Sequence, residues 1–293
     1  LVERLSAEHK GDKHLYCTFV PNSSRYMSRK KLTLTLGIKA SETDWVVILE
    51  PTCTPLSTRW LAALAPSLTD ENHLVVGYTG FEEDTKTSWR FQQFRSSFYI
   101  LTRTLHGRPY RHANGLVAIR KSDFMKRDGF SGNLNLLRGE YDFLVNKFGD
   151  DTGTAVALHP DTHTQTKAPT GKDWRNMQLF FWETRKYLEG GWFGRFLFNL
   201  DNFMLYLNYM VAVACLVYGL IEDRKFIILL ASANLLLTML LRILFARRAI
   251  KVFGANIPAW RVIGFELMVP WRKMRSYFRY IKTDKYEFTS HKL

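Results

Sequence analysis

The sequence predicts an α/β domain built on a parallel sheet, followed by a membrane-spanning helical hairpin and a basic amphipathic tail. Three observations carry this. Short apolar runs rich in β-branched residues alternate with helix-length segments through about residue 190. Two stretches, 203–221 and 226–241, carry no charge; the first is long enough to span a bilayer and the second continues past Arg242 to Ala246. Positive charge then gathers behind the second stretch.

The run Trp45–Leu49 reads as a strand buried on both faces in the middle of a parallel sheet. It ends on Glu50 and Pro51, and open α/β sheets hold ligands just outside the carboxyl ends of their strands. A surface turn that begins with Glu is the plain alternative. Before it, Leu15–Val20 reads as an edge strand. Leu32, Leu36 and Ala40 recur at four-residue steps, which favours a helix after Arg29-Lys-Lys31 over the strand that Leu-Thr alternation offers. Ser57–Leu68 is a helix with Ser57 as N-cap. Leu74–Tyr78, Asn114–Ile119 and Thr154–Leu158 are further strands, and Lys121–Arg127 is a short helix. Trp89–Leu105 is an amphipathic helix, facing either the core or a membrane surface. Gly139–Asn146 opens a helix with Glu140 and Asp142 in its first turn, where the helix dipole favours negative charge. His159–Thr170 is a loop and Trp174–Tyr187 an aromatic, basic helix. The chain divides into 1–190, a linker 191–202, the hairpin 203–247 and the tail 248–293. Pro258 and Pro270 are expected to break the tail into interfacial helices.

A hydrophobic content of 46% excludes disorder. Three widely spaced cysteines offer neither a disulfide framework nor metal-type spacing. The net charge of +14 calls for an anionic partner. From Arg242 onward there are twelve Lys or Arg against three Asp or Glu, so +9 of that charge sits beside the hairpin. This excess favours anionic lipid headgroups over nucleic acid and places both hairpin ends on the cytoplasmic side.

Several segments in order resemble the membrane-bound family 2 glycosyltransferases of bacterial polysaccharide synthesis. Arg29–Ala40 is similar to the helix before the family's acidic motif, and Asp44–Trp60 to the strand and turn that carry it. His112–Ser122 is similar to the acceptor-side strand, Gly139–Asn146 to the segment of the catalytic base, and Phe265-Glu-Leu and Phe288–Lys292 to the tail of a membrane subgroup. The resemblance implies a GT-A-type, Rossmann-like sheet without its first strand or strands, since the chain opens as if inside such a domain. It also implies a nucleotide-sugar donor and Mg²⁺ or Mn²⁺ at the strand end. Where the family has Asp-x-Asp, this chain has Glu50-Pro51-Thr52, making Glu50 the implied metal ligand, with Thr52 beside it. Asp142, then Glu140, are the implied catalytic bases; helix N-terminal charges stabilising the dipole are the alternative. Gln178 and Trp182 match the ends of a Gln-x-x-Arg-Trp element that binds the donor, with Phe181 in place of Arg, or belong to an aromatic helix packed on the membrane face. His159 and His163 flank Asp161 as further candidate ligands or solvated loop residues.

The expected function is inverting transfer of a sugar from a nucleotide donor to a lipid-linked or polysaccharide acceptor at the cytoplasmic face of a bacterial inner membrane. A catalytically degenerate, membrane-tethered scaffold or binding subunit of a polysaccharide-assembly complex is the alternative.

Overall fold

The computed structural model describes residues 28–113 and 115–289, together with Arg4, Ala7, Glu8 and Val20. Apart from Val20, the strand expected at Leu15–Val20 lies outside the described residues. Helix α1 (Arg29–Ala40) starts at Ser28, whose hydroxyl oxygen accepts from the Lys31 amide at 3.3 Å. The helix forms as expected, but on a different face. Leu34 and Ile38 pack into the core, whereas Leu36 is exposed.

The described residues form strands β1 (Trp45–Ile48), β2 (Cys53–Pro55), β3 (Leu74–Gly77), β4 (Thr79–Phe81), β5 (Val117–Arg120), β6 (Thr154–Ala157) and β7 (Thr164–Thr166). They make two mixed sheets, in the orders β1-β5-β3-β6 and β2-β7-β4. Here the parallel-sheet expectation is corrected. β1 runs antiparallel to β5 and lies at the edge of its sheet among the described residues. Only β3–β6 and β4–β7 pair in parallel. Both faces of β1 do pack, Val46 and Ile48 on one side and Trp45 and Val47 on the other. A two-sided apolar run therefore does not require a central parallel strand. β7 lies within the expected loop 159–170, where its polar Thr-Gln-Thr sequence carries no apolar signal.

Helix α2 (Trp60–Leu64) is shorter than expected, since Pro66 has no amide to continue the helix and the chain tightens into a 3-10 turn at Ala65–Ser67. Helix α3 (Thr87–Leu105) takes the core-facing option, burying Phe91, Phe94, Ile100 and Leu101. Helices α4 (Lys121–Lys126), α5 (Glu140–Phe148) and α6 (Gly171–Thr184) complete the domain, the last opened by a reciprocal Thr170–Asp173 capping box.

Two long helices follow, α7 (Trp192–Ile221) and α8 (Lys225–Val252). Asn202–Ile221 and Lys225–Val252 are long and apolar enough to cross a membrane. Between them, Asn208 donates to Thr238 and accepts from Asn234, each at 3.1 Å, a polar tie between otherwise apolar surfaces. Helix α9 (Val262–Lys282) keeps Pro270 inside it rather than breaking there, whereas Pro258 does stand before a turn at Ala259–Arg261.

After α8 the chain returns to the domain. Ile250, Phe253, Ile257, Val262 and Val269 enter the same core as Leu74, Val76, Val117 and Ile119. The Phe253 ring lies 4.7 Å from Tyr78 and 6.0 Å from each of Phe94, Phe98 and His163. Trp182 donates to Ser276 at 2.9 Å and Tyr280 donates to Glu183, pinning α9 to α6. The opposite face of α9 presents Trp271, Met274, Phe278 and Ile281 beside Arg275, Arg279 and Lys282.

Truncating Phe253 would remove the ring that joins four aromatic side chains of the domain. Phe253→Ala is expected to lower stability by about 3–5 kcal/mol, measured by chemical denaturation of the detergent-solubilised chain. A loss well below 1 kcal/mol would mean that the returning segment merely rests on the domain.

Candidate functional site

A cavity of about 550 Å³ opens where the ends of β1 and α5 face α3, α6 and α9. Of the residues singled out from the sequence, Glu50, Thr52, Glu140, Asp142, Gln178 and Trp182 line it, whereas His159, Asp161 and His163 do not. Local chemistry places the acidic ones. β1 ends at Ile48, and the turn through Pro51 closes with the Cys53 amide donating to the Glu50 carbonyl at 2.8 Å, leaving the Glu50 side chain at the rim. Glu140 begins α5 because Gly139 turns the chain with φ +94°. A Cβ there would also approach Thr184 Cγ2 to 2.4 Å, so both backbone and space call for glycine.

Glu50 and Glu140 meet through Lys30 in the first turn of α1. Its ammonium donates to Glu50 Oε1 and Glu140 Oε1, each at 2.6 Å, and stands 4.7 Å from the Tyr141 ring centroid. Burial opposes the charge on Lys30, but the two carboxylates outweigh it and hold the pKa above the ordinary lysine value. Glu140 is buried, and its Oε2 has no hydrogen-bond partner. Neighbouring Lys31 turns the other way, fully buried, and donates to the carbonyls of Asn133 and Leu136 at 2.5 and 2.9 Å. It ties the loop before α5 to α1.

Asp142 has a different setting. Arg111 Nε donates to Oδ1 at 2.9 Å and Nη2 to Oδ2 at 3.4 Å, while the Thr184 hydroxyl donates to Oδ2 at 3.2 Å. Burial lifts the Asp142 carboxyl above the usual range against the pull of Arg111 and Thr184. With both oxygens engaged, Asp142 positions Arg111. The guanidinium of Arg111 lies 4.5 Å from the Phe181 ring centroid, and that of Arg185 lies 5.1 Å from the same ring and 5.0 Å from Trp182. Two cations thus collect over Phe181. Deeper in, Lys273 is pushed down to about 7, by burial first and then by Arg95 and Arg185. Gln178 donates to Gln92 Oε1 at 3.4 Å, and the Trp182 indole is committed to Ser276.

A divalent cation needs hard oxygen donors free to face it. Here Glu50 and Glu140 both hold Lys30, and the Thr52 hydroxyl accepts from Thr166 at 3.2 Å. As arranged, these donors do not fit a divalent ion. Among the described residues, no group of three or more His, Cys, Asp or Glu side chains is placed to hold one. His163 is buried in the aromatic packing around Phe253, and the His159 ring accepts from the Asp161 amide at 3.2 Å.

Sequence reasoning missed Lys30, Arg111, Arg185 and Lys273. One signal was present. Lysines at the second and third positions of a helix oppose its dipole, so Arg29-Lys-Lys31 needed carboxylates or carbonyls elsewhere to justify it. No protein-family model matches the chain, and no curated protein matches it.

His112 is buried beside the site, and its pKa is pushed down to about 4, by burial first and by Arg111 second. A depressed histidine pKa means that the unfolded chain binds a proton the folded chain refuses below pH 6.5. Stability is therefore expected to fall on acidification from pH 7, by about 2 kcal/mol from this group at pH 5. Denaturation at the two pH values checks it. If His112→Gln leaves the pH slope unchanged, the assignment fails.

Proposed function

We propose that this chain is an inverting glycosyltransferase with a GT-A-type domain, moving a sugar from a nucleoside diphosphate to a lipid-linked or polysaccharide acceptor. The observation that carries this reading is the charge of the cavity. Nine Lys or Arg side chains line it against four Asp or Glu, with aromatic faces among them. Mutually repelling cations around a depressed lysine are stabilised by an anion, and a nucleoside diphosphate supplies two phosphates. Arg111 and Arg185 stand over Phe181, so guanidinium charge is present although Phe occupies the Arg position of the resembling element.

In this reading the acceptor hydroxyl attacks the anomeric carbon as the bond to the diphosphate oxygen breaks. The electron pair leaves on the diphosphate, where the cavity's cations offset it. The hydroxyl proton passes to a carboxylate. In this reading Glu140 is that carboxylate: its Oε2 has no hydrogen-bond partner, though it is enclosed and would have to turn toward the cavity, whereas both oxygens of Asp142 are taken by Arg111 and Thr184. The family resemblance puts Asp142 first and Glu140 second, whereas the reading proposed here prefers Glu140. The hairpin would hold the domain at the cytoplasmic face of a bacterial inner membrane with both ends inside. The exposed apolar and basic face of α9 would lie on anionic headgroups.

A second reading, a catalytically degenerate scaffold subunit, draws support from the tied-down Asp142 and the lysine-bound Glu50. Calorimetric titration of the full chain in detergent with a panel of nucleoside-diphosphate sugars separates the two. Binding of one donor, weakened about tenfold or more by Arg185→Ala through loss of one charge-assisted contact, is expected of the transferase. No binding of any donor to a well-folded sample would favour the scaffold.

A further inference from the structure

Lys30 stands where the strand-end carboxylate and the first carboxylate of α5 converge. Its ammonium is shared between Glu50 Oε1 and Glu140 Oε1 at 2.6 Å each. A metal between two carboxylates would meet the same two oxygens at 2.0–2.6 Å, so it and this ammonium exclude one another. Three features make Lys30 more than a surface lysine resting on nearby acids. It sits in the first turn of α1, where the dipole opposes a cation, so the carboxylates must overcome that opposition. The Tyr141 ring lies 4.7 Å away and adds a further face for the cation. Lys31 next to it is clamped by two backbone carbonyls and fully buried, which fixes the turn that aims Lys30 at the cavity. An ammonium has three N–H donors, and the carboxylates take two, leaving one for a ligand oxygen.

We propose that Lys30 is the resident cation of this site: it occupies the seat of a divalent metal between Glu50 and Glu140 and meets the diphosphate of the donor itself. This rests, for the identity of the ligand, on the transferase reading; the occupancy of the seat does not. The ammonium contributes one positive charge where Mg²⁺ or Mn²⁺ would contribute two, and the surrounding arginines supply the remainder. Removing Lys30 leaves two carboxylates facing each other across an empty seat, one of them with a second oxygen already unpartnered. That is an arrangement of hard oxygens suited to a divalent ion.

The test begins without any nucleotide. Mn²⁺ is titrated into the full chain in detergent and bound ion is counted by electron paramagnetic resonance. The wild-type chain is expected to hold no Mn²⁺ at this site, and Lys30→Met to gain one ion per chain, lost again in Lys30→Met/Glu50→Gln. A wild-type chain that binds one Mn²⁺ and loses it in Glu50→Gln would overturn the proposal, as would a folded Lys30→Met chain that gains none. Should Lys30→Met fail to fold, Lys30→Gln keeps a polar N–H donor without the charge, and the wild-type titration stands by itself. A second arm titrates UDP and GDP with EDTA present. Metal-free binding that falls about tenfold or more in Lys30→Gln, the loss of one charge-assisted contact, is expected. Diphosphate binding that appears only when Mn²⁺ is added would refute the role of Lys30. Because the first arm involves no nucleotide, its outcome is independent of whether the chain is a glycosyltransferase.

Discussion

A single ammonium group joins three parts of the chain that lie far apart in sequence. Lys30 belongs to the first turn of α1, Glu50 to the turn after an edge strand, and Glu140 to the start of α5 just after Gly139, whose left-handed backbone calls for glycine. Two carboxylates this near would repel, and one would take up a proton or turn away. With the lysine between them both carboxylates share one cation, and the acidic corner of an otherwise basic cavity becomes possible. Lys31 complements this from inside the domain by anchoring the loop that leads to Glu140. One consecutive pair of lysines thus sets the position of the acidic residues from two sides.

The balance of charge around this corner decides what the cavity accepts. On one side Glu50 and Glu140 share one cation. On the other, Asp142 is spent on Arg111, Arg111 and Arg185 stand over the Phe181 ring, and Arg95 and Lys273 line the same cavity. A neutral ligand gains little from such a wall, and a cationic one is repelled by it. A ligand with an anionic end and a polar end would match both sides, as the donor proposed above would.

What could be read from the sequence follows the range of each interaction. The helical hairpin is a local property of composition, so its two apolar stretches appear where hydropathy puts them. The placement of Glu50 and Glu140 at a strand end and a helix start was likewise readable, because Pro51 and Gly139 punctuate the chain there. Strand direction was not. Trp45–Ile48 packs apolar groups on both faces whether its neighbour runs parallel or antiparallel, and only β5, some seventy residues on, settles it. Lys30 was invisible as a site residue for the same reason, its partners lying twenty and more than a hundred residues away. The polar strand β7 has no apolar alternation and forms because β2 and β4 flank it on both sides. The tail was half legible. A stripe of aromatics and arginines marks an amphipathic helix, but nothing in the stripe distinguishes a membrane surface from a protein surface, and α9 has one face against the domain and the other exposed.

The return of Ile250, Phe253, Ile257 and Val262 to the sheet's own core bears on how the protein is made. Synthesis runs from the amino end, and a domain whose pieces are contiguous can close as soon as it leaves the ribosome. Here the pieces are not contiguous. Among the described residues the last strand ends at Thr166, yet Ile250, Phe253, Ile257, Val262 and Val269 join the core only after both long apolar helices have been translated. Until then the nascent sheet carries an open aromatic pocket around Tyr78, Phe94 and Phe98. Placement of the two long helices and completion of the domain are therefore coupled, and a chain whose hairpin is misplaced would also leave the domain's core unfinished.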